Sequence, residues 1–248
     1  MKGGNAVKNT LRRALRDIMT AVLLSGLLFG AAGLWNEMRQ YGAADCEMPA
    51  LPAAPEGSPA PGGVDFAGLR RDAPEAAAWL TVPGTRIDYP VVQWTDNQYF
   101  LGRTARHEPS RYGAIFMDYR SNRDFSDFYT VVYGHNMRGG KMFGGLREFR
   151  VAEFFERTPY GLLRTPDKTY RLHFFAFVLA DSSTGAYFND LAFVAPNKKE
   201  AFIERVRGDA GRWRDVPLGP EDRIVALSTC LASAGDSRIL LLGKLVEQ

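Results

Sequence analysis

Ile224-Val225-Ala226-Leu227-Ser228-Thr229-Cys230, followed after the short stretch 231–236 by Ser237-Arg238-Ile239-Leu240-Leu241-Leu242, decides how this chain folds. Two apolar runs on either side of Ala, Ser, Gly and Asp predict two antiparallel strands joined by a turn over 231–236. Pairing Cys230 with Ser237 would set Arg238 beside Thr229 and Cys230. A thiol at a strand end next to a fixed positive charge has the elements of an activated nucleophile, because the cation favours the thiolate.

A nucleophilic thiol needs a proton carrier, and the sequence holds three histidines. His135 follows the β-rich run Tyr129-Thr130-Val131-Val132-Tyr133 and the break at Gly134, so a strand end would aim its imidazole. His107, between Arg106 and Glu108-Pro109, reads as a solvated loop residue. His173, inside Tyr170–Phe177, reads as a sheet-facing histidine with a structural role.

The rest of the chain predicts a mainly β domain. Asp65–Trp79 reads as a helix interrupted at Pro74. Strands are expected around Ile87–Trp94, Gly113–Asp118 and Phe128–Tyr133, then a short helix over Lys141–Phe149 continued after a break by Val151–Arg157. A long aromatic strand over Thr169–Ala180 and a helix over Asn197–Arg207 precede the closing strands, Arg223–Cys230 and Arg238–Val246. Many short β-type runs rich in Gly and aromatics favour a barrel or a sandwich.

The N-terminus has a different character. Lys2, Lys8, Arg12, Arg13 and Arg16, opposed by Asp17, give residues 1–17 a net +4, leaving −1 for the remainder. The formal +3 is therefore topogenic and leaves no broad nucleic-acid footprint. Ile18–Trp35 is apolar, and eighteen helical residues reach about 27 Å, enough to cross a bilayer core. Basic flanks put the N-terminus inside and the C-terminal domain outside, a single-pass anchor in the cell membrane; a cleaved signal peptide ending near Ala31-Ala32-Gly33 is the alternative. Residues 36–63, Pro/Ala/Gly-rich from Ala43 onward, read as an extended tether, and the folded domain as 64–248.

Other chemistries fail on spacing. Gly134–Met142 has a phosphate-loop look, but its Lys141 comes one position late with no Ser or Thr after it. No His-Glu-x-x-His or Gly-x-Ser-x-Gly occurs, and Cys46 and Cys230 form neither a zinc site nor a disulfide framework. No cofactor and no metal are expected.

These residues carry a family resemblance. Ala226-Leu227-Ser228-Thr229-Cys230 resembles the Thr-Leu-X-Thr-Cys signature of the sortases, with Ala226 in place of the first Thr. Arg238 and Tyr133-Gly134-His135-Asn136-Met137 match that family's Arg and His. Trp79–Gln93, Asp96-Asn97-Gln98-Tyr99-Phe100-Leu101 and Met142–Phe149 are similar to class B in particular, and the likeness covers roughly residues 64–247.

The resemblance implies an eight-stranded β-barrel with peripheral helices behind an N-terminal transmembrane helix. It implies a cysteine transpeptidase with Cys230 as nucleophile, His135 as general acid/base and Arg238 stabilising the oxyanion. Tyr187, Ser228 and Thr229 are candidates for the substrate groove. The implied partners are secreted proteins with a C-terminal sorting motif, cleaved at a Thr–Gly-like bond, and an amine of a peptidoglycan precursor or cross-bridge. Membrane lipid is a further partner, through the N-terminal helix. A pilin-polymerising enzyme and a catalytically idle binding module are the alternatives. An L,D-transpeptidase fits poorly, because that family keeps its His and Cys close in sequence and here they are 95 positions apart.

Overall fold

The computed structural model describes residues 3–46, 63–189, 191–193, 195–230 and 236–248. The chain divides into two compact units, Met1–Ala43 and Ala44–Gln248. Helix α1, Gly3–Cys46, accounts for the described part of the first. Its stretch Arg12–Arg39 has a mean hydropathy of 1.9 and is long and apolar enough to cross a membrane. Leu23, Leu27, Phe29 and Trp35 are all exposed, so the helix presents apolar surface on every side. The hydroxyls of Thr20 and Ser25 donate back to the carbonyls of Arg16 and Ala21, each at 2.8 Å, which satisfies the polar side chains of the span internally. The helix runs beyond the expected 18–35, through the first part of the expected tether, because the first proline comes only at position 49. The remaining tether, 47–62, lies outside the described residues.

The second unit is a closed β-barrel. Its strands are β1 Ala76–Thr81, β2 Asp88–Val92, β3 Ile115–Met117, β4 Tyr129–Tyr133, β5 Tyr160–Arg164, β6 Thr169–Asp181, β7 Ala210–Trp213, β8 Arg223–Cys230 and β9 Ser237–Glu247. Helices are α2 Phe66–Asp72, α3 Ala152–Arg157 and α4 Pro196–Asp209. Eight strands form a ring in the order β5-β1-β2-β3-β4-β8-β9-β6, closed by pairing of β6 with β5, and β7 adds to the outer half of β6. The pairs β2–β3 and β4–β8 are parallel and the others antiparallel. Closure removes the exposed edges of an open sheet.

Burial explains why several strands read as continuous apolar runs. Each ring strand gives at least one side chain to the barrel interior, among them Leu80, Val91, Met117, Val132, Leu163, Phe174, Leu227 and Leu241. The alternate residues of β4, β8, β9 and β6, such as Val131, Ala226, Leu240 and Val178, pack outward under Phe202, Ile203 and Val206 of α4. A third cluster joins Phe66 and Leu69 of α2 to Trp79, Val92 and Phe116 on the opposite outer face. Strands buried on both faces lose the period-two polar alternation.

The structure corrects several sequence expectations. The first helix of the domain ends at Asp72, and Trp79 lies in β1. Asp65 caps that helix by accepting from the Gly68 N–H at 2.8 Å, and Pro74 follows its end. Ala76-Ala77-Ala78 favours helix by propensity, but all three are buried as strand, so tertiary packing overrides it. Strands β5 and β7 have no counterpart in the reading above. The short helix expected over Lys141–Phe149 is a 3₁₀ helix over Gly144–Arg150, and α3 follows after the break at Val151. α4 begins at Pro196, whose fixed φ suits the first helical position, and not at Asn197. His107 is half-buried: Trp94 and Phe100 pack at 5.5 and 5.6 Å, and the Tyr99 hydroxyl lies 3.0 Å from its Nδ1. The expected turn at 231–235 lies outside the described residues.

Candidate active site

Parallel pairing of β4 with β8 brings distant parts of the sequence together. Tyr133 pairs with Ser228, and the Gly134 N–H donates to the Ser228 carbonyl at 3.1 Å, so the two strands end side by side. His135 at the end of β4 thereby stands next to the Thr229–Cys230 end of β8. β9 starts at the same end. Cys230 pairs with Arg238, not with Ser237 as expected, and Thr229 pairs with Ile239. The register is set by burial: Leu227 meets Leu241 inside the barrel while Ala226 meets Leu242 outside, and a one-residue slip would exchange the faces. The guanidinium-bearing residue is therefore directly across from the cysteine.

The imidazole is held from several sides. The His135 carbonyl accepts from the Phe143 N–H at 3.0 Å, and Asn136 bridges to Met142. The ring is half-buried, with Nε2 at 2.9 Å from the Leu101 carbonyl. A carbonyl oxygen only accepts, so Nε2 carries the hydrogen and Nδ1 is the nitrogen left for proton exchange. Gly134 permits this close packing. A Cβ there would lie 2.8 Å from the Phe143 ring and would also strike Ile115.

These elements surround a cleft of about 290 Å³. His135, Arg238, Ser228 and Thr229 line it, together with Asn97, Leu101, Phe116, Tyr133, Gly134, Ser182 and Phe188. The backbone of Cys230 follows lining residue Thr229 and faces lining residue Arg238. Ser228 and Thr229 are each 2% exposed, and their hydroxyls have no hydrogen-bond partner among the described residues. Ser182 at the rim is tied to the start of β9, its N–H and hydroxyl both donating to the Asp236 carbonyl at 2.8 and 2.7 Å.

Tyr187 is placed elsewhere. It is buried against Phe202, its hydroxyl donates to Asp209 at 2.6 Å, and burial and that carboxylate push its pKa up. It anchors the β6–α4 connection to the end of α4, while its neighbour Phe188 faces the cleft and stacks 6.3 Å from Tyr133. In this segment it is Phe188, not the expected Tyr187, that lines the cleft. Asn97 and Leu101 lie in a stretch noted above for its class B likeness, but nothing in their spacing marked them as cleft residues. Burial and the adjacent Asp118 carboxylate push the Tyr133 phenol up, so it acts as a neutral hydroxyl donor.

A closed eight-stranded barrel, with an imidazole and a guanidinium meeting a strand-terminal cysteine position at one cleft, has the architecture of a sortase-type barrel. The Sortase domain family model matches residues 80–246, and the chain belongs to the sortase family of cysteine transpeptidases, in its class B. Sortase B of Listeria monocytogenes is 33% identical over 176 residues, 70% of this chain and 71% of that one. A Streptococcus pyogenes class B sortase involved in pilus biogenesis is similar with a TM-score of 0.66 and 33% identity, over 74% of this chain and 98% of that structure. A Staphylococcus aureus sortase B–substrate complex is similar with a TM-score of 0.68 and 25% identity, over 73% and 84% of the two chains. The eight-stranded barrel with peripheral helices is as the resemblance implied.

Proposed function

We propose that Cys230 is the nucleophile of this transpeptidase, His135 its general acid and base, and Arg238 the cation that stabilises the oxyanion. The carrying observation is the register that sets Arg238 opposite Cys230 at the strand end beside His135.

In this reading the Cys230 thiolate attacks the carbonyl carbon of a Thr–Gly-like bond in a sorting motif. The carbonyl π pair moves to oxygen, where the planar guanidinium of Arg238 and a backbone N–H meet it. Collapse breaks the C–N bond. The leaving amine takes a proton from the imidazolium at Nδ1, leaving a thioester. An acceptor amine then attacks the thioester, passes its proton back to Nδ1, and releases the Cys230 thiolate. In this reading Ser228 and Thr229, which line the cleft, contribute to the substrate groove.

Residues 18–35 are the membrane-crossing part of α1, 1–17 the cytoplasmic side, and 64–248 the catalytic domain on the extracellular face. The substrates are secreted proteins with a C-terminal sorting motif, and the acceptor is a peptidoglycan precursor or cross-bridge amine. The likeness to a sortase involved in pilus biogenesis supports a second reading, in which the acceptor is a lysine of another subunit.

The test is mass spectrometry of the full chain in detergent micelles, incubated with sorting-motif peptides and either a glycine-type or a lysine-type amine. A thioester adduct on Cys230, absent in Cys230→Ala and discharged by one amine, is the expected result. An adduct on no residue, with a thiol inert to small electrophiles, would leave only a binding module.

A further inference from the structure

The Asp118 carboxylate, just past β3, is wholly buried and does not line the cleft. Five donors converge on it: the Arg120 backbone N–H at 3.0 Å, Arg120 Nε and Nη2 each at 2.8 Å, Asn97 Nδ2 at 2.8 Å and the Tyr133 hydroxyl at 3.0 Å. The guanidinium of Arg120 also reaches across to the β6–α4 connection. Nη2 donates to the Phe188 carbonyl at 2.6 Å and Nη1 to the Asn189 carbonyl at 2.9 Å. Asn97 is fixed from its other end, its Oδ1 accepting from the Tyr119 N–H at 3.0 Å.

Three cleft residues from three segments, Asn97, Tyr133 and Phe188, are thus held by one ion pair outside the cleft. Elsewhere the connection is tied by Ser182 to the Asp236 carbonyl and by Tyr187 to Asp209, and its local hydrogen bonds are short-range turns, among them Gly185 to Ser182 and Phe188 and Asn189 to Gly185. Such turns fix shape but not position relative to the barrel. Arg120 fixes the Phe188–Asn189 point of the connection to Asp118, because a planar fork can satisfy a carboxylate and two carbonyls at once. Asp118 is wholly buried and Arg120 partly exposed, so the pair is weak evidence for stability in itself, and what it contributes here is the geometry of the groups it joins.

We propose that Asp118 and Arg120 are positioning residues for the peptide substrate: the pair holds the Phe188 wall at a fixed distance from Asn97 and Tyr133 and so sets peptide affinity without touching the peptide. The inference rests on the cleft being the peptide site, as proposed above. Neither Asp118 nor Arg120 lines the cleft, and their hydrogen bonds run to Asn97, Tyr133 and the β6–α4 connection, so the pair acts on binding and leaves the chemical step alone.

The experiment compares the full chain with its Asp118→Asn and Arg120→Lys variants in detergent micelles. Hydrogen exchange is read at the Gly185, Phe188 and Asn189 amides, KM and kcat with a sorting-motif peptide, and thiol alkylation by a small electrophile against pH. Expected are faster exchange at these amides, a KM raised about tenfold and an unchanged kcat, since the loss falls on binding alone. Alkylation and its pH profile stay unchanged. Exchange at the wild-type rate, or faster exchange with unchanged KM, would overturn the proposal. A parallel loss of kcat and alkylation would assign the pair to general stability and overturn it as well. Arg120→Lys, which keeps the charge and leaves Asp118 bonded to Asn97 and Tyr133, decides the matter should Asp118→Asn not fold. Should the unaltered chain form no acyl-enzyme, the functional reading fails, and the exchange measurement alone still decides whether the pair holds the wall.

Discussion

His135 Nε2 lies 2.9 Å from the carbonyl oxygen of Leu101, which fixes the tautomer of the imidazole in its neutral form. The hydrogen on Nε2 is committed to the carbonyl, so the proton transfer proposed for His135 would pass through Nδ1. Nitrogen-15 NMR of the neutral enzyme should show His135 as the Nε2–H tautomer. A spectrum of the Nδ1–H form would contradict the assignment. His135→Ala should lower transpeptidation about 10²- to 10⁴-fold, the range for a lost general acid–base. The circular dichroism of the barrel should be unchanged, because the ring is half-buried and outside the hydrophobic clusters.

Arg238 is paired with Cys230 on one side and with Ala180 on the other, so its backbone is fixed by two strands. Its side chain can then be changed without loosening the sheet. Arg238→Lys keeps the charge and loses the planar fork. The rate of acyl-enzyme formation should fall about 10²- to 10³-fold, as for loss of an oxyanion donor. Rapid-quench mass spectrometry of the Cys230 adduct measures this rate. An acylation rate equal to wild type would remove Arg238 from the oxyanion role.

Gly134→Ala tests the packing that aims His135. The new Cβ would lie 2.8 Å from the Phe143 ring and would also strike Ile115, so neighbouring side chains would have to shift. Overpacking of this kind costs about 1–3 kcal/mol, so thermal denaturation should show a lower Tm. Displacing the imidazole by a fraction of an ångström should cost far more in rate than in stability, about 10²-fold in kcat/KM. A variant with lowered Tm and full activity would mean that the close approach serves folding alone.

How much of this was legible in the sequence depended on which physical signal each residue carries. β6, β8 and β9 were readable because both their faces are buried, which leaves long apolar runs such as Ile239–Leu242. β1 was not, since Ala76-Ala77-Ala78 has helical propensity and becomes strand only through pairing with β2 and β5. β7 was invisible for another reason: four residues added to the outer half of β6 carry no periodic pattern. Cys230, Arg238 and His135 stand out in the sequence because a thiol, a guanidinium and an imidazole at strand ends are chemically conspicuous, and the fold brings His135 and Arg238 to one cleft. The register between the first two was still read one residue off. Apolar runs on both faces hide which face is inside, and the turn alone does not fix the pairing. Tyr187 looked like a groove residue, yet it is Phe188 that faces the cleft, because the hydrogen bond from Tyr187 to Asp209 turns the phenol toward α4. Asp118 and Arg120, two positions apart in Met117-Asp118-Tyr119-Arg120, gave no warning that one would be buried and the other would reach Phe188.

Acid titration provides a further check on the Asp118 pair. Burial by itself would push this carboxyl up, but the hydrogen bonds from Arg120, Asn97 and Tyr133 outweigh it and hold the pKa below the ordinary carboxylate value. A carboxyl whose folded pKa is depressed contributes stability that is complete above its unfolded value of about 3.9. That contribution is lost as pH falls through the folded value. The contribution of Asp118 should therefore be constant from pH 7 down to about 5, then fall away below about 4, when protonation leaves the Arg120 guanidinium facing a neutral acid. Asp118→Asn should be less stable than wild type at neutral pH, and the gap should narrow as pH drops, because the variant has already lost what acid removes. Equilibrium urea curves at pH 3, 4, 5 and 7 for both proteins measure the gap. A difference that is constant with pH would mean that the carboxylate is not charged in the folded state, and that its partners are held by geometry alone.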